Sequence, residues 1–466
     1  MNQLADRLAP SRAPLLPGNA VRLLTGYDEL GPALHAACDA ARREVQFETY
    51  ILHDDEAGQR LLDAFGRAVA RGVKVRVLVD GFGSAHTLGW LIARCRELGV
   101  GLLVYRPFSA WRTLFHPKGL RRLHRKLCVV DGELLFCGGI NVIDDRLDIH
   151  HGRFELPRLD YAVEVRGPVA ARALGVMQTT WLRTALRRDW RRQVRDLAVS
   201  PEPWRDLRTL WRGLRARGEL PADTDRLAPR PGERGPADGE AALAGIAPAP
   251  DRGIAADTPS GTGDGPGAPG IPRASAAPRV ALVMRDNLLN RRAIERVYLD
   301  AIGAARERVL IVTPYFYPSR QLRQALVGAA RRGVRVALLL QGRYDYRIAA
   351  WAARALYREL LDAGVRIREY TPTFLHAKVA CVDADWATVG SSNIDPLSLL
   401  YAREANVVVA GREFNAELAA SVEAAMARAV PVLQAPSGVA ARLAHRAVAL
   451  VARLVIGLAG QIGRRY

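Results

Sequence analysis

A short pattern of histidine, lysine, aspartate and asparagine occurs twice in this 466-residue chain. It reads H-x-K-x4-D-x6-G-[GS]-x-N, and its two histidines lie 252 residues apart, at positions 124 and 376. The chain has only four lysines, and each copy contains one of them. Chance does not explain such a duplication, so we interpret the two copies as one functional site. The chemistry-bearing members are His124, Lys126, Asp131, Asn141, His376, Lys378, Asp383, Ser391 and Asn393.

These side chains are suited to phosphoryl transfer. An imidazole titrates near neutral pH and is a competent nucleophile or general acid there. A lysine ammonium is a point charge that fits a phosphoryl oxygen, and an asparagine amide adds a neutral donor. If both copies meet in one groove, one imidazole can attack phosphorus while the other protonates the departing oxygen. The sequence predicts no metal or other cofactor, since the nearest candidate cluster, His150-His151, is interpreted as a solvated loop.

Each copy lies on a predicted β-hairpin at the end of a repeated α/β unit. Histidine and lysine at i and i+2 of a strand point to one face, and Asp131-Gly132 is a tight-turn signal. Upstream, both halves show a strand, a helix ending in an R-G-V turn and a continuous apolar strand typical of burial on both faces. The fold class predicted is α/β, with two mixed sheets flanked by helices and a pseudo-twofold relation between them. The matching stretches are 44–52, 68–81 and 124–141, and 308–316, 329–342 and 376–393.

A long break in composition separates the two halves. Residues 220–278 are rich in Pro, Gly, Ala and Asp with almost no aromatic residues, which predicts a disordered linker. Hydrophobic residues make up 49% of the chain and charged residues 25%, which excludes a wholly disordered protein. The predicted divisions are a tail (1–17), a first domain (18–219), the linker (220–278), a second domain (279–432) and a C-terminal segment (433–466).

Charge and cysteine content bear on partner and compartment. The 67 basic against 48 acidic residues, a net charge of +19, predict an anionic partner such as nucleic acid, a phospholipid surface or a phosphorylated substrate. Five cysteines without C-x-x-C spacing favour a reducing cytoplasm. No signal peptide or membrane-spanning helix is predicted. The segment 433–466 has apolar residues at helical spacing with arginines set apart, which predicts an in-plane membrane helix or a helix packed on the protein. The arginine-rich stretches 115–127 and 186–197 are candidate headgroup contacts.

The two copies resemble the HKD motif of the phospholipase D superfamily. The stretches ETYI, RGVKVRVLVDG, HRKLCVVDG and WATVGSSNIDPLSL are similar to bacterial cardiolipin synthases, most of all to the B type. The resemblance covers 18–215 and 280–430. It implies a phospholipase D-like sandwich in each half and transfer of a phosphatidyl group through a phosphohistidine intermediate without a metal.

The resemblance also implies residue roles. The catalytic positions of the family fall on His124, Lys126, Asp131, His376, Lys378 and Asp383. Supporting phosphate-binding positions fall on Asn141, Ser391 and Asn393, and carboxylates that orient the histidines fall on Asp160 and Glu404. Two departures stand out. Gly139 replaces the serine of the second copy, and Ala402 stands where relatives carry asparagine, which puts the local geometry near the glutamate in doubt.

We therefore expect a cardiolipin synthase that transfers a phosphatidyl group between two phosphatidylglycerol molecules and releases glycerol. It would act as a peripheral protein on the cytoplasmic face of the bacterial inner membrane, on an anionic surface, with His124 favoured as the nucleophile. A phospholipase D that uses water, or another transphosphatidylase, would use the same residues. A nuclease is less favoured because the apolar C-terminal segment suits lipid, so no nucleic acid partner is expected. The lipid identities and the oligomeric state stay open.

Overall fold

The computed structural model describes most of both halves of the chain. The described residues are 13–107, 121–148, 152–199, 277–286, 290–343, 354, 356–395 and 402–434, with side chains in the helix at 168–199 described as far as residue 186. Several predicted features lie outside them. These are nearly all of the linker, the C-terminal helix, the loop at 149–151, the arginines at 187–197 and residues 115–120 of the other basic stretch.

The first half alternates strands and helices before and after its hairpin. Its strands are β1 (Ala20–Thr25), β2 (Glu44–Thr49), β3 (Lys74–Asp80), β4 (Gly101–Tyr105), β5 (Arg122–Leu123), β6 (Lys126–Val130), β7 (Leu134–Gly138), β8 (Leu147–Asp148), β9 (Gly152–Arg153) and β10 (Tyr161–Arg166). Its helices are α1 (Gly26–Ala40), α2 (Glu56–Ala70), α3 (Leu88–Glu97) and α4 (Pro168–Val199).

The second half repeats this succession of elements. Its strands are β11 (Arg279–Arg285), β12 (Arg308–Thr313), β13 (Arg335–Gln341), β14 (Arg366–Tyr370), β15 (Val379–Val382), β16 (Trp386–Gly390), β17 (Ala402–Ala410) and β18 (Val430–Pro431). Its helices are α5 (Ala293–Ala304), α6 (Arg320–Arg331), α7 (Tyr357–Leu361) and α8 (Arg412–Ala427).

The two main sheets have the same strand order. Within the described residues, the first sheet runs β1-β10-β7-β6-β2-β3-β4, and the second runs β11-β17-β16-β15-β12-β13-β14 with β18 added at its edge. In each sheet three neighbouring strands are parallel, β2-β3-β4 and β12-β13-β14, whereas the hairpins β6-β7 and β15-β16 are antiparallel. The predicted pair of mixed α/β halves with a pseudo-twofold relation is confirmed.

Local sequence signals explain how corresponding helices end and begin. The R-G-V turns after α2 and α6 place Gly72 at φ 86° and Gly333 at φ 89°, in the left-handed region where a side chain is disfavoured. At the start of the same helices, the side chains of Asp55 and Ser319 accept hydrogen bonds from main-chain amides three residues on. The repeat therefore includes the helix cap and the glycine turn that precede each central strand, β3 and β13.

Both halves contribute to one central core. Outer clusters bury the helices α1 to α3 and α5 to α7 against their own sheets. The central cluster combines residues of β6 and β10, such as Val129 and Val163, with residues of β15 and β17, such as Val379 and Val407. The described residues up to 186 and from 277 onward accordingly form a single compact unit. No helix in the described part of the chain is both long and apolar enough to span a bilayer.

Candidate active site

The histidine and lysine of each motif stand at the start of the first hairpin strand. Lys126 opens β6 and Lys378 directly precedes β15, so the i, i+2 spacing places each lysine on the same side as its histidine. The Lys126 Nζ donates to the main-chain oxygen of His124 at 2.7 Å, and Lys378 donates in the same way to His376. Both lysines are buried, with 6% and 1% of their surface exposed. Each motif therefore holds a desolvated cation beside its imidazole.

Each histidine is oriented by a carboxylate from the other half of the chain. The His124 Nδ1 lies 3.0 and 3.2 Å from the two carboxylate oxygens of Glu404 on β17. The His376 Nδ1 lies 2.6 Å from the Oδ2 of Asp160, which directly precedes β10. The residues that bind each other are 280 and 216 positions apart in the chain. The two motifs are therefore parts of one composite site.

Main-chain bonds cross between the halves at the same points. β5, which leads to His124, pairs with the beginning of β17, and the His124 amide donates to the Arg403 carbonyl at 3.0 Å. The His376 amide donates to the Leu159 carbonyl at 2.9 Å. Each histidine is thus fixed by its main chain to the residue that precedes its own carboxylate partner.

Burial dominates the electrostatics of the site. It lowers the pKa of His124 below its ordinary value although Glu404 opposes this, and it lowers the pKa of His376 well below that value, aided by Lys378. Burial also lowers the pKa of Lys126 to about 8 and that of Lys378 to about 7, against the attraction of Glu404 and Asp160. Burial therefore favours neutral imidazoles and lysines that lose their proton more easily than in water.

Glu404 and Asp160 have different hydrogen-bond partners, because the first motif has Gly139 where the second has Ser391. Ser391 donates its hydroxyl to the Glu404 Oε2. Burial raises the pKa of Glu404, but His124 above all, then Lys126 and the Ser391 hydroxyl, hold it below its usual value. Gly139 occupies the equivalent position in the first half, and a Cβ there would lie 2.3 Å from the Asp160 Oδ1. The shorter aspartate fits against glycine, and its Oδ1 accepts the Tyr161 amide at 2.8 Å instead. Gly139 with Asp160 and Ser391 with Glu404 are therefore matched pairs.

The two motif asparagines lie at the ends of the hairpins and are mostly buried, each with 7% exposed surface. The Asn141 Oδ1 accepts the Ile51 main-chain amide at 3.3 Å, so the side-chain nitrogen of Asn141 is the group that remains to donate. The Asn393 Oδ1 is buried without a hydrogen-bond partner among the described residues. A side-chain amide held in this way can donate to a phosphoryl oxygen.

The structure does not bring Asp131 and Asp383 to the histidines. Both sit in the hairpin turns with positive φ, 54° and 50°, at the far end of the strand. Seven residues of extended chain, about 23 Å, separate each from its histidine. Asp131 accepts three main-chain amides at positions 42 to 44, and Asp383 accepts three at 306 to 308. Their carboxylates fasten the hairpin to the start of β2 or β12. Their place among the catalytic residues stays a prediction from the family resemblance.

Tyr50 is a site residue that the motif does not include. Its ring centroid lies 4.8 Å from that of His124, and the Lys126 Nζ lies 5.5 Å from the tyrosine ring. The available signal was the ETYI stretch, which places an aromatic residue just after a buried strand. The second half has Pro314 at the equivalent position, so this aromatic wall exists on the side of the first motif.

A buried ion pair lies behind the first motif. Arg125, between the histidine and the lysine, points to the opposite face, where it binds both carboxylate oxygens of Glu48 and donates to the Thr180 hydroxyl at 2.6 Å. Arg403 also reaches that hydroxyl, at 3.4 Å. Since Arg403 precedes Glu404, this network connects the two strands that carry His124 and its carboxylate. The second half has Ala377 in place of the arginine, so the motif alone did not indicate it.

The second departure from the family pattern, Ala402, lies beside a buried arginine. Arg285 on β11 faces Glu404 in the strand pairing and donates to the Ala402 carbonyl. Burial lowers the pKa of Arg285 to about 10, and Glu404 opposes this. The Arg285 guanidinium therefore lies near Glu404, where Ala402 has no polar side chain.

No group of three or more His, Cys, Asp or Glu side chains in the described ranges is arranged to hold a metal ion.

Comparisons with known proteins agree with this geometry. The family profile described as cardiolipin synthase, PLD-like domain matches residues 34–152 and 298–426, which carry the two motifs. Cardiolipin synthase B of Salmonella typhimurium is 32% identical over 402 residues, covering 86% of this chain and 79% of the relative. Cardiolipin synthase A of Pseudomonas fluorescens is 30% identical over 450 residues, covering 95% of this chain and 76% of the relative.

A solved structure supports the fold. The phosphatidylserine synthase of Haemophilus influenzae superposes with a TM-score of 0.59 over 99% of each chain, at 13% sequence identity. The predicted phospholipase D-like fold and the predicted phosphatidyltransferase class are confirmed by these findings together. The chain belongs to the cardiolipin synthase family of PLD-like enzymes.

Proposed function

We propose that this enzyme transfers a phosphatidyl group from one phosphatidylglycerol molecule to another, giving cardiolipin and glycerol. The observation that carries the proposal is the exchange of carboxylates between the halves, His124 with Glu404 and His376 with Asp160. It brings two imidazoles and two buried lysines into one site, as a two-step transfer with a covalent intermediate requires. Relatives that carry the name cardiolipin synthase support the choice of lipid.

The carboxylates determine which imidazole nitrogen reacts. Because each Nδ1 is bound to a carboxylate, the proton resides there and the Nε2 lone pair is available. We assign the attack on phosphorus to the Nε2 of His124. A P–N bond forms as the bond to the glycerol oxygen breaks, and His376 supplies the proton that this oxygen takes. In the second step His376 accepts a proton from the hydroxyl of the acceptor lipid, whose oxygen displaces His124.

The lysines and asparagines stabilise the charge of the transition state. Lys126 and Lys378 are desolvated, and a cation in such a place interacts strongly with an anionic phosphoryl oxygen. The phosphodiester anion in turn favours the protonated state of both lysines and of the imidazole that faces the leaving oxygen. Substrate binding therefore favours the protonation states that burial alone disfavours.

We also propose that the enzyme lies peripherally on the cytoplasmic face of the inner membrane. Two exposed apolar side chains near the histidines support its contact with a phospholipid surface. Phe82, just beyond β3, is 41% exposed and lies 5.1 Å from the guanidinium of Arg122, two residues before His124. Leu156 is 47% exposed, and its carbonyl accepts the hydroxyl of Thr373, three residues before His376. Apolar side chains thus project beside the segments that lead to both histidines.

The test is lipid analysis after incubation of purified protein with phosphatidylglycerol vesicles. The expected products are cardiolipin and glycerol in equal amounts, with His124→Ala and His376→Ala each reduced by several orders of magnitude. His86→Ala, an exposed histidine of the first half, is the matched control and retains activity. Phosphatidic acid as the main product would instead identify a hydrolase, and more than about a tenth of activity in either site variant would exclude the two-histidine mechanism.

A further inference from the structure

The segment that leads into His124 is held from two sides by consecutive main-chain amides. The Leu123 amide donates to the Asp80 Oδ2 at 2.8 Å, and the His124 amide donates to the Arg403 carbonyl at 3.0 Å. In an extended chain, successive amides point in opposite directions. The first bond therefore ties the histidine to its own sheet, and the second ties it to the other half.

The second motif has the same arrangement with a different side chain. The Leu375 amide donates to the Gln341 Oε1 at 3.2 Å, and the His376 amide donates to the Leu159 carbonyl at 2.9 Å. Leu375 has 1% of its surface exposed. Its amide would be buried without a partner if Gln341 were removed.

Asp80 and Gln341 occupy equivalent positions in the repeat. Each is the last residue of its strand, β3 or β13, and each precedes a glycine. Asp80 has no exposed surface and Gln341 has 8%. The Asp80 Oδ1 also accepts the Phe82 amide at 2.9 Å and the Gly83 amide at 3.2 Å, which fixes the carboxylate at the strand end. Both residues lie outside the HKD motif.

We propose that Asp80 and Gln341 are positioning residues of the active site, each setting the place of one reactive imidazole through the amide that precedes it. The inference rests on the proposed two-histidine function. Neither side chain is assigned a contact with the phosphate. Each acts through the main chain, and both perform the same task although one is an acid and the other an amide.

In the first motif, the negative charge of Asp80 also affects the pKa of Lys126. Burial lowers the pKa of Lys126, while Glu404, Asp160 and Asp80 raise it in that order. Replacing Asp80 by asparagine keeps one acceptor oxygen for the Leu123 amide and removes the charge, together with the acceptor of the Phe82 and Gly83 amides. Comparison with Asp80→Ala therefore isolates the hydrogen bond to Leu123, and the pH profile reports the loss of charge.

The experiment measures kcat and KM for Asp80→Ala, Asp80→Asn, Gln341→Ala and Gln341→Glu with phosphatidylglycerol in mixed micelles. We expect each alanine variant to lose about 10- to 100-fold in kcat with KM within about twofold, since a displacement near 1 Å has such an effect on a reacting group. The Asn and Glu variants keep an acceptor and stay within about fivefold of wild type. In Asp80→Asn the alkaline limb of the pH profile moves to lower pH, because Lys126 loses a charge that raises its pKa.

Glu164→Ala is the matched control. It removes another mostly buried carboxylate, which binds Arg22 on the neighbouring strand, and it should lower thermal stability without changing kcat. If Asp80→Ala does not fold, Gln341→Ala carries the test. Full kcat in a folded alanine variant, or an equal loss in Asp80→Ala and Asp80→Asn, would overturn the inference. If His124→Ala and His376→Ala were active in the same assay, the proposed function itself would fail.

Discussion

Copying the serine of the second motif into the first, by Gly139→Ser, should inactivate the enzyme although it makes the two motifs more alike. A Cβ at this position would lie 2.3 Å from the Asp160 Oδ1 and 2.9 Å from its Cγ, where ordinary contact needs about 3.5 Å. Asp160 would have to retreat by about 1 Å, yet its side chain is 1% exposed and held by His376 and the Tyr161 amide. Such a displacement costs about 100-fold in rate, or about 2.7 kcal/mol.

The assay is kcat on phosphatidylglycerol for Gly139→Ala, Gly139→Ser and Ser391→Gly, with thermal unfolding of each variant. The alanine variant isolates the steric effect and should lose nearly as much as the serine variant. Ser391→Gly adds no atom and removes one hydrogen bond to Glu404, so a loss of about tenfold is expected. If folded Gly139→Ser kept more than half of the wild-type kcat, the matched-pair interpretation of the two carboxylates would be refuted.

Three other outcomes follow from the geometry of the site. Burial lowers the pKa of Lys378 to about 7 and that of Lys126 to about 8, and both lysines act while protonated. We therefore expect kcat/KM to fall as the pH rises through 7 to 8. An alkaline limb near the free-lysine value of about 10.4 would contradict this. Since lysines supply the charge, chelators should leave turnover intact, and a strict magnesium or zinc requirement would contradict the mechanism. The double variant Phe82→Ser, Leu156→Ser should bind anionic vesicles about 10- to 100-fold more weakly but keep its activity on short-chain lipid in detergent. Val430→Ser, on the edge strand β18, should change neither property. Unchanged vesicle binding in the double variant would exclude these side chains as membrane anchors.

The repeat and its strands were predictable because their signals are local. An R-G-V turn followed by a continuous apolar run indicates a buried strand, and both copies of this signal precede β3 and β13. The turn prediction at Asp131-Gly132 also depends on neighbouring residues, and the structure has a tight hairpin turn there. Where periodicity and turn chemistry suffice, the fold follows from them.

The arrangement of the site depends on contacts between distant residues, which a single sequence does not contain. The resemblance assigned Asp160 and Glu404 to the two histidines without saying which carboxylate binds which imidazole. In the structure each histidine binds the carboxylate of the other half. The resemblance likewise grouped Asp131 with His124, whereas the turn signal at Asp131-Gly132 agrees with the main-chain amides that its carboxylate accepts. Asp80 and Gln341 gave no signal beyond a polar residue after an apolar run.

If the two motifs form one site, only one of the two histidines is the nucleophile, and trapping the covalent intermediate would identify it. Phosphatidylglycerol labelled at its phosphorus would be mixed with the enzyme, quenched rapidly in alkali, which spares the acid-labile P–N bond, and the labelled peptide identified. We expect at most one label per chain, on His124, and none in His124→Ala. Two labels per chain, one on each motif histidine, would contradict a composite site.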